Sequence, residues 1–165
     1  MTGRILRESK PLERNSMDSK KEFGFTLVEI MIVVAIIGLL AAIAIPNLLR
    51  ARMNSNEQAM KKDLRTFSSA IESFRAAQNP PEYAADIASL TSSNPPYLDG
   101  SWDTNTKHGF ELSYAGGGPA STTYSLFAEA QTNRAVNDYC VDQSGVVYQG
   151  GAGGANGCAG GTPIP

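Results

Sequence analysis

Residues 25–45 read FTLVEIMIVVAIIGLLAAIAI, an unbroken apolar run of 21 residues carrying a single charge, Glu29. As an α-helix rising ~1.5 Å per residue it would be about 31 Å long, the thickness of a ~30 Å hydrocarbon core. It is apolar on every side, so its surroundings must be lipid or the centre of a helix bundle.

The rest of the chain is ordinary by comparison, and its averages exclude several classes. A length of 165 residues suits one domain with an appendage, and 42% apolar with 18% charged residues excludes a polytopic membrane protein, a collagen-like repeat and a wholly disordered chain. A formal net charge of −2 argues against a nucleic-acid binder acting through a basic surface. Two cysteines are too few for a miniprotein built on disulfides.

Four zones follow from composition. Residues 1–24 hold six of the fourteen basic residues against four acidic ones, a local charge of +2, and show no sustained apolar periodicity. Residues 25–45 are the candidate transmembrane helix segment. Residues 46–78 place Met53, Met60, Leu64, Phe67, Ile71 and Phe74 at steps of 7, 4, 3, 4 and 3, one stripe of an amphipathic helix. Asn54, Glu57, Lys61, Lys62, Arg65, Glu72 and Arg75 are assigned to its other, solvated faces. Only Pro46 interrupts the passage from one zone to the next, and Pro80-Pro81 ends it. One long helix over about 25–78 is therefore expected.

Residues 79–165 must supply the surface that covers the stripe. The connector 79–107 is rich in Pro, Ser and Asn, with a short helix expected near Glu82–Leu90. Runs of strand type follow at 109–115, 122–130, 136–142 and 145–149, with a turn at Gly116–Gly118. Such close spacing predicts an antiparallel meander. The tail 150–161 has seven Gly in twelve residues and reads as a loop. The fold class is α+β: a long N-terminal helix on a small antiparallel head.

The junction KKEFGFTLVEI is the most specific stretch: basic residues, then Gly24, Phe25, Thr26, Leu27, Val28 and Glu29, then the apolar helix. It closely resembles the class III signal of type IV pilins and type II secretion pseudopilins. The resemblance implies cleavage after Gly24 by a membrane-embedded prepilin peptidase and N-methylation of the new first residue, Phe25. It also implies an assembly role for Glu29, the fifth residue after the cut. Gly38 and Pro46 fall where that family often carries a helix glycine and a helix proline, and the resemblance implies that 38–46 unwinds on assembly; a static kink at Pro46 is the alternative. The resemblance covers 20–78 strongly and the remainder through architecture and the cysteine pair.

Physical chemistry agrees with that reading. A basic leader stays cytoplasmic by the positive-inside rule, placing the head outside the inner membrane. A carboxylate at a bilayer centre costs ~2.5–3.5 kcal/mol, so Glu29 belongs near the interface or beside a cation, for which the Phe25 α-amine of its own or a neighbouring chain is the candidate. Counted from Met17, the leader MDSKKEFG is eight residues, like the short leaders common in the family, against 24 from Met1; it is expected that either translation starts at Met17 or residues 1–16 are dispensable. Phe23 is not the usual residue before the cleavage glycine. An ordinary signal peptide is the competing view: Ala42-Ile43-Ala44 offers a small-x-small site that would leave Ile45 at the new terminus.

In the head, Cys140 and Cys158 enclose 17 residues. Export to an oxidising compartment favours a disulfide, and the arrangement resembles the disulfide-bounded C-terminal loop of many pilins. Free thiols or a metal site are the alternatives, but His108 is the only histidine to complete a zinc set. His108 reads as a surface residue at a strand start. No nucleophile–base–acid set can be assembled, so no enzyme is expected. Asp99, Asp103, Asn105, Asp138 and Asp142 could supply oxygens to calcium, but their spacing matches no dedicated loop and solvated turns are favoured. No other cofactor is expected. Trp102, Tyr97 and the other aromatics are assigned to packing rather than to conduction or adhesion.

The expected function is a structural filament subunit, with other copies of the chain, the prepilin peptidase, an assembly platform and its ATPase as partners. No specific nucleic acid is predicted. A pseudopilin, a minor pilin and a DNA-uptake pilin are the alternatives within the class; an exported binding module on a signal anchor is the one outside it.

Overall fold

The computed structural model describes residues 24–117, 121–151 and 157–164. Residues 1–23 of the leader, with Phe23 and the Met17 start, therefore lie outside the described residues. One helix, α1, runs Leu27–Ala77 through both Gly38 and Pro46, within two residues of the expected span. Contacts divide the chain into two units, Met1–Leu40 and Ala41–Pro165.

In the first unit, every described residue of 24–40 is exposed. The second unit contains the core. After α1 come α2 (Ala88–Thr91), a 3₁₀ turn at Gly100–Trp102, and strands β1 (Thr106–Lys107), β2 (Phe110–Gly116), β3 (Tyr124–Ala130), β4 (Tyr139–Asp142), β5 (Val147–Gln149) and β6 (Thr162–Ile164). The six strands form one sheet in chain order, each antiparallel to the next. The expected meander is present.

The stripe on α1 meets this sheet. Met60, Leu64, Phe67 and Ile71 are fully buried, in one cluster with Leu112, Leu126, Ala128, Tyr139, Val141 and Val147. The strand residues follow the two-residue period: Tyr124, Leu126 and Ala128 share a face on β3, Tyr139 and Val141 on β4. Phe67 sits at the centre, its ring 5.4 Å from Trp102 and edge-on to Tyr114 and Tyr124 at 5.9 and 6.1 Å. Phe74 and Met53, at the stripe's ends, are only half-buried.

Several expectations need correction. The connector helix is Ala88–Thr91, not Glu82–Leu90. Tyr83 and Ala84 are drawn into the core, where Ala84's carbonyl accepts the Tyr114 hydroxyl at 2.6 Å, and that burial overrides local helix preference. Asp86 then fixes the helix start by accepting the Ser89 N–H at 2.8 Å. The run 136–142 pairs as a strand only from Tyr139, because the Val136 and Asn137 N–H groups are used elsewhere. β1 and β6 were not anticipated. They have two and three residues, too short to show alternation, and Pro163 disguises the second, being tolerated at a sheet edge. β2 extends to Gly116, so the expected turn begins one residue later, at Gly117 (φ +82°), where an added Cβ would fall 1.7 Å from the Ala84 oxygen. Gly118 lies outside the described residues.

Candidate processing and assembly segment

Helix α1 begins through a specific local interaction. The Glu29 N–H donates to the Thr26 Oγ1 at 3.1 Å, and the Ile30 N–H to the Thr26 carbonyl at 3.3 Å. Thr26 is thus the N-cap, satisfying a donor that a helix start otherwise leaves unpaired. Sequence reasoning passed over Thr26, although Thr26-x-x-Glu29 is the capping-box spacing and could have revealed it. The cap fixes the boundary: Gly24 and Phe25 lie outside the helix and Phe25 is 79% exposed.

Nothing within the described chain requires glycine at 24 or 38. A Cβ built at either position meets no atom within 4 Å, and neither has a left-handed φ. Gly38 nevertheless weakens the helix by ~1 kcal/mol relative to Ala. Glu29 lies in the first turn, where a negative group suits the helix dipole. Among the described residues its carboxylate makes no ion pair. From Phe25 to Leu49 all large apolar side chains are exposed, between 47% and 79%. A helix clad in exposed apolar side chains all round cannot remain in water.

The second unit offers a different chemistry. Cys140 and Cys158 form a disulfide, with S–S 2.02 Å and Cα–Cα 5.6 Å. Cys140 alternates with Tyr139 and Val141, so it projects from the sheet face opposite α1, and the bridge pins the C-terminal segment there. Asp142, two residues on and on the same face, accepts the Cys158 N–H at 3.3 Å and the Ser144 N–H at 2.9 Å.

Glu57 is the residue most misjudged from sequence. The helical pattern assigns it to a face outside the apolar stripe, yet it is 8% exposed. Its Oε1 accepts N–H bonds from Val136 (3.0 Å) and Asn137 (3.2 Å), and its Oε2 accepts the Tyr139 hydroxyl at 2.9 Å. Burial is the largest influence on its pKa and pushes it up, but the combined hydrogen bonds from Val136, Tyr139 and Asn137 outweigh burial and hold it below its ordinary value. The signal was available, since Glu57 lies three residues before Met60 and continues the stripe.

The remaining candidates are occupied with structure. His108, in the β1–β2 turn at φ 51°, approaches Asp63 at 3.0 Å, and Lys107 reaches the same carboxylate at 3.1 Å. Asp99 accepts the Ser101 N–H, Asp103 the Thr91 hydroxyl and Asp138 the Ala130 N–H. Among the described residues no three His, Cys, Asp or Glu side chains are grouped to hold a metal. Trp102 is 3% exposed, with the Lys107 Nζ 4.1 Å from its ring centre, and the Tyr97 ring packs edge-on against Phe74 at 5.6 Å.

Residues 19–45 match the family model for the prokaryotic N-terminal methylation motif. The chain is 48% identical over 61 residues to the type IV major pilin protein PilA of Myxococcus xanthus, covering 37% of this chain and 28% of that protein. It is 41% identical over 69 residues to the type IV wide pilus major component PilA4 of Thermus thermophilus, covering 42% of this chain and 51% of that protein. It is 30% identical over 63 residues to the type II secretion system core protein G of Aeromonas hydrophila, covering 38% of this chain and 44% of that protein. The chain thus spans about half or less of the length of these relatives. Pilins and core protein G are its relatives, and the long helix on an antiparallel sheet matches the pilin fold the sequence led us to expect.

Proposed function

We propose that this relative of type IV pilins is the structural subunit of a pilus-like filament. In this reading it enters the inner membrane through residues 25–45 with its head outside. A prepilin peptidase cuts after Gly24 and methylates the Phe25 amine, and an assembly platform and its ATPase polymerise the trimmed chains. The observation that carries this is the helix start: an exposed, non-helical Gly24–Phe25, a Thr26 cap, and one carboxylate, Glu29, in an otherwise apolar helix.

The mechanism is assembly, not catalysis. Exposed apolar helices leave lipid by packing against one another. Glu29 of one subunit pairs with the Phe25 amine of the next, an attraction strengthened where water is excluded. A subunit out of axial register buries an unpaired carboxylate, so the pair selects register. Gly38 and Pro46 leave 38–46 as the weakest stretch of α1, the segment proposed to unwind in the filament. The match to core protein G favours a second reading, a type II secretion pseudopilin; the disulfide and the glycine-rich sequence at 150–161 incline the choice toward a pilus.

The test is Glu29→Ala in the producing cell. The variant should reach the membrane and be processed, while sheared filaments fall at least about tenfold, as loss of a desolvated charge pair worth a few kcal/mol requires. Normal filament yield would remove Glu29 from assembly.

A further inference from the structure

Helix α1 leaves the apolar run at Ile45 and continues without a break. Leu49 lies four residues beyond, about 6 Å along the axis, and Arg52 about 10 Å. The polar zone of a bilayer leaflet is about 5–7 Å deep. Helical side chains lean toward the N-terminus, so Arg52 is directed back over the turn that carries Leu49, toward the bilayer of the membrane reading above. Its position is that of a snorkelling residue.

Here α1 forms one wall of a cleft of about 530 Å³ lined by Leu49, Arg52, Asn56, Thr132, Asn133 and Arg134. The opposite wall is the β3–β4 loop, which is firmly built. The Asn56 amide donates to the Arg134 carbonyl at 2.8 Å, and the Arg134 N–H and Ala135 N–H both return to the Gln131 carbonyl at 3.0 and 3.3 Å. Glu57 holds the next two residues through their N–H groups. Arg52 and Arg134 are exposed, and neither guanidinium forms an ion pair among the described residues. The lining holds no carboxylate. Two guanidiniums without an ion pair among the described residues, amide and hydroxyl groups and the apolar Leu49 give this lining a chemistry suited to a phosphate oxyanion that adjoins an apolar tail.

We propose that this cleft binds the phosphodiester of a membrane phospholipid, seating the head on the bilayer before assembly. This rests on the membrane reading above and adds a ligand site to it. Arg52 and Arg134 take the phosphate oxygens, Asn56, Thr132 and Asn133 line the headgroup, and Leu49 meets the first part of the acyl region. The site would be vacated when the subunit leaves the bilayer.

The experiment is native mass spectrometry of the full chain in detergent, titrated with phosphatidylglycerol. Wild type should retain one lipid per subunit. The Arg52→Gln/Arg134→Gln double variant should bind at least about tenfold more weakly, since both cationic partners of the phosphate are removed. Arg50→Gln, which removes a neighbouring charge outside the cleft, should bind like wild type. Equal retention by wild type and double variant, or an equal loss from Arg50→Gln, overturns the proposal. Inorganic phosphate is titrated separately: if it binds the lipid-free chain with the same arginine dependence and displaces the lipid, the ligand is free phosphate and the headgroup assignment is overturned. Circular dichroism checks that the variants are folded. Membrane fractionation of wild type tests insertion independently, so failure of the membrane reading is distinguishable from failure of the site.

Discussion

A carboxylate taken out of water must be compensated by hydrogen bonds, and Glu57 is compensated by a loop far along the chain. It joins α1 to Val136, Asn137 and Tyr139, about eighty residues on. Removing it leaves two backbone donors and a tyrosine hydroxyl without their acceptor, so Glu57→Ala should destabilise the head by ~3 kcal/mol. The pH dependence follows from the direction of its shift. Its folded pKa is lowered, so the unfolded chain binds the proton first. Its stabilisation is fully present above the unfolded pKa, ~4.3, and is lost as pH falls through the folded value. Urea titrations of the full chain in detergent at pH 7, 5 and 3 should show the loss in wild type and a flatter profile in Glu57→Gln. At this scale sequence reading was weakest. It tied polarity to exposure at Glu57, where the partner is a loop that no local pattern brings near. It singles out Gly24, Phe25 and Glu29 through a local, contiguous motif, yet misses Thr26, equally local, because an apolar neighbourhood hides a capping residue.

The elements were legible where their periodicity was long. The four stripe residues from Met60 to Ile71 repeat for three turns and all are fully buried. β2 to β5 were placed to within a few residues, their starts displaced by a positive-φ glycine at 109 and 145 and by the Glu57 bonds before Tyr139. β6 was invisible because its place depends on the disulfide and on pairing with β5, both non-local. That dependence can be measured. Cys140→Ser/Cys158→Ser should cost the head ~3 kcal/mol for the released loop and raise hydrogen exchange in 157–164 before the rest of the sheet. Within α1, Pro46→Ala restores a missing donor and should stabilise the helix by ~3 kcal/mol. If 38–46 unwinds in the filament, filaments of this variant should stretch less under force in optical traps; unchanged extensibility would leave Pro46 a static feature.

At the scale of the molecule, the chain divides its apolar residues between two destinations. Those from Met60 to Val147 bury one another in the head, while those from Phe25 to Leu49 are exposed among the described residues. Charge divides as well: residues 1–24 carry +2, and the remainder carries eight basic against twelve acidic residues. A charged leader before an exposed apolar helix suits the proposed function, in which the chain is trimmed, inserted and then packed against copies of itself. The exposed apolar helix was plain from the sequence, since 21 apolar residues admit few environments; the cleft at Arg52 and Arg134 was not, because it needs α1 and the β3–β4 loop brought together. The central claim is that processing occurs at Gly24, and the mass of the N-terminal peptide of the membrane-extracted or filamentous protein tests it most directly. N-methylated Phe25 is expected as the first residue. A chain beginning at Ile45 would contradict it.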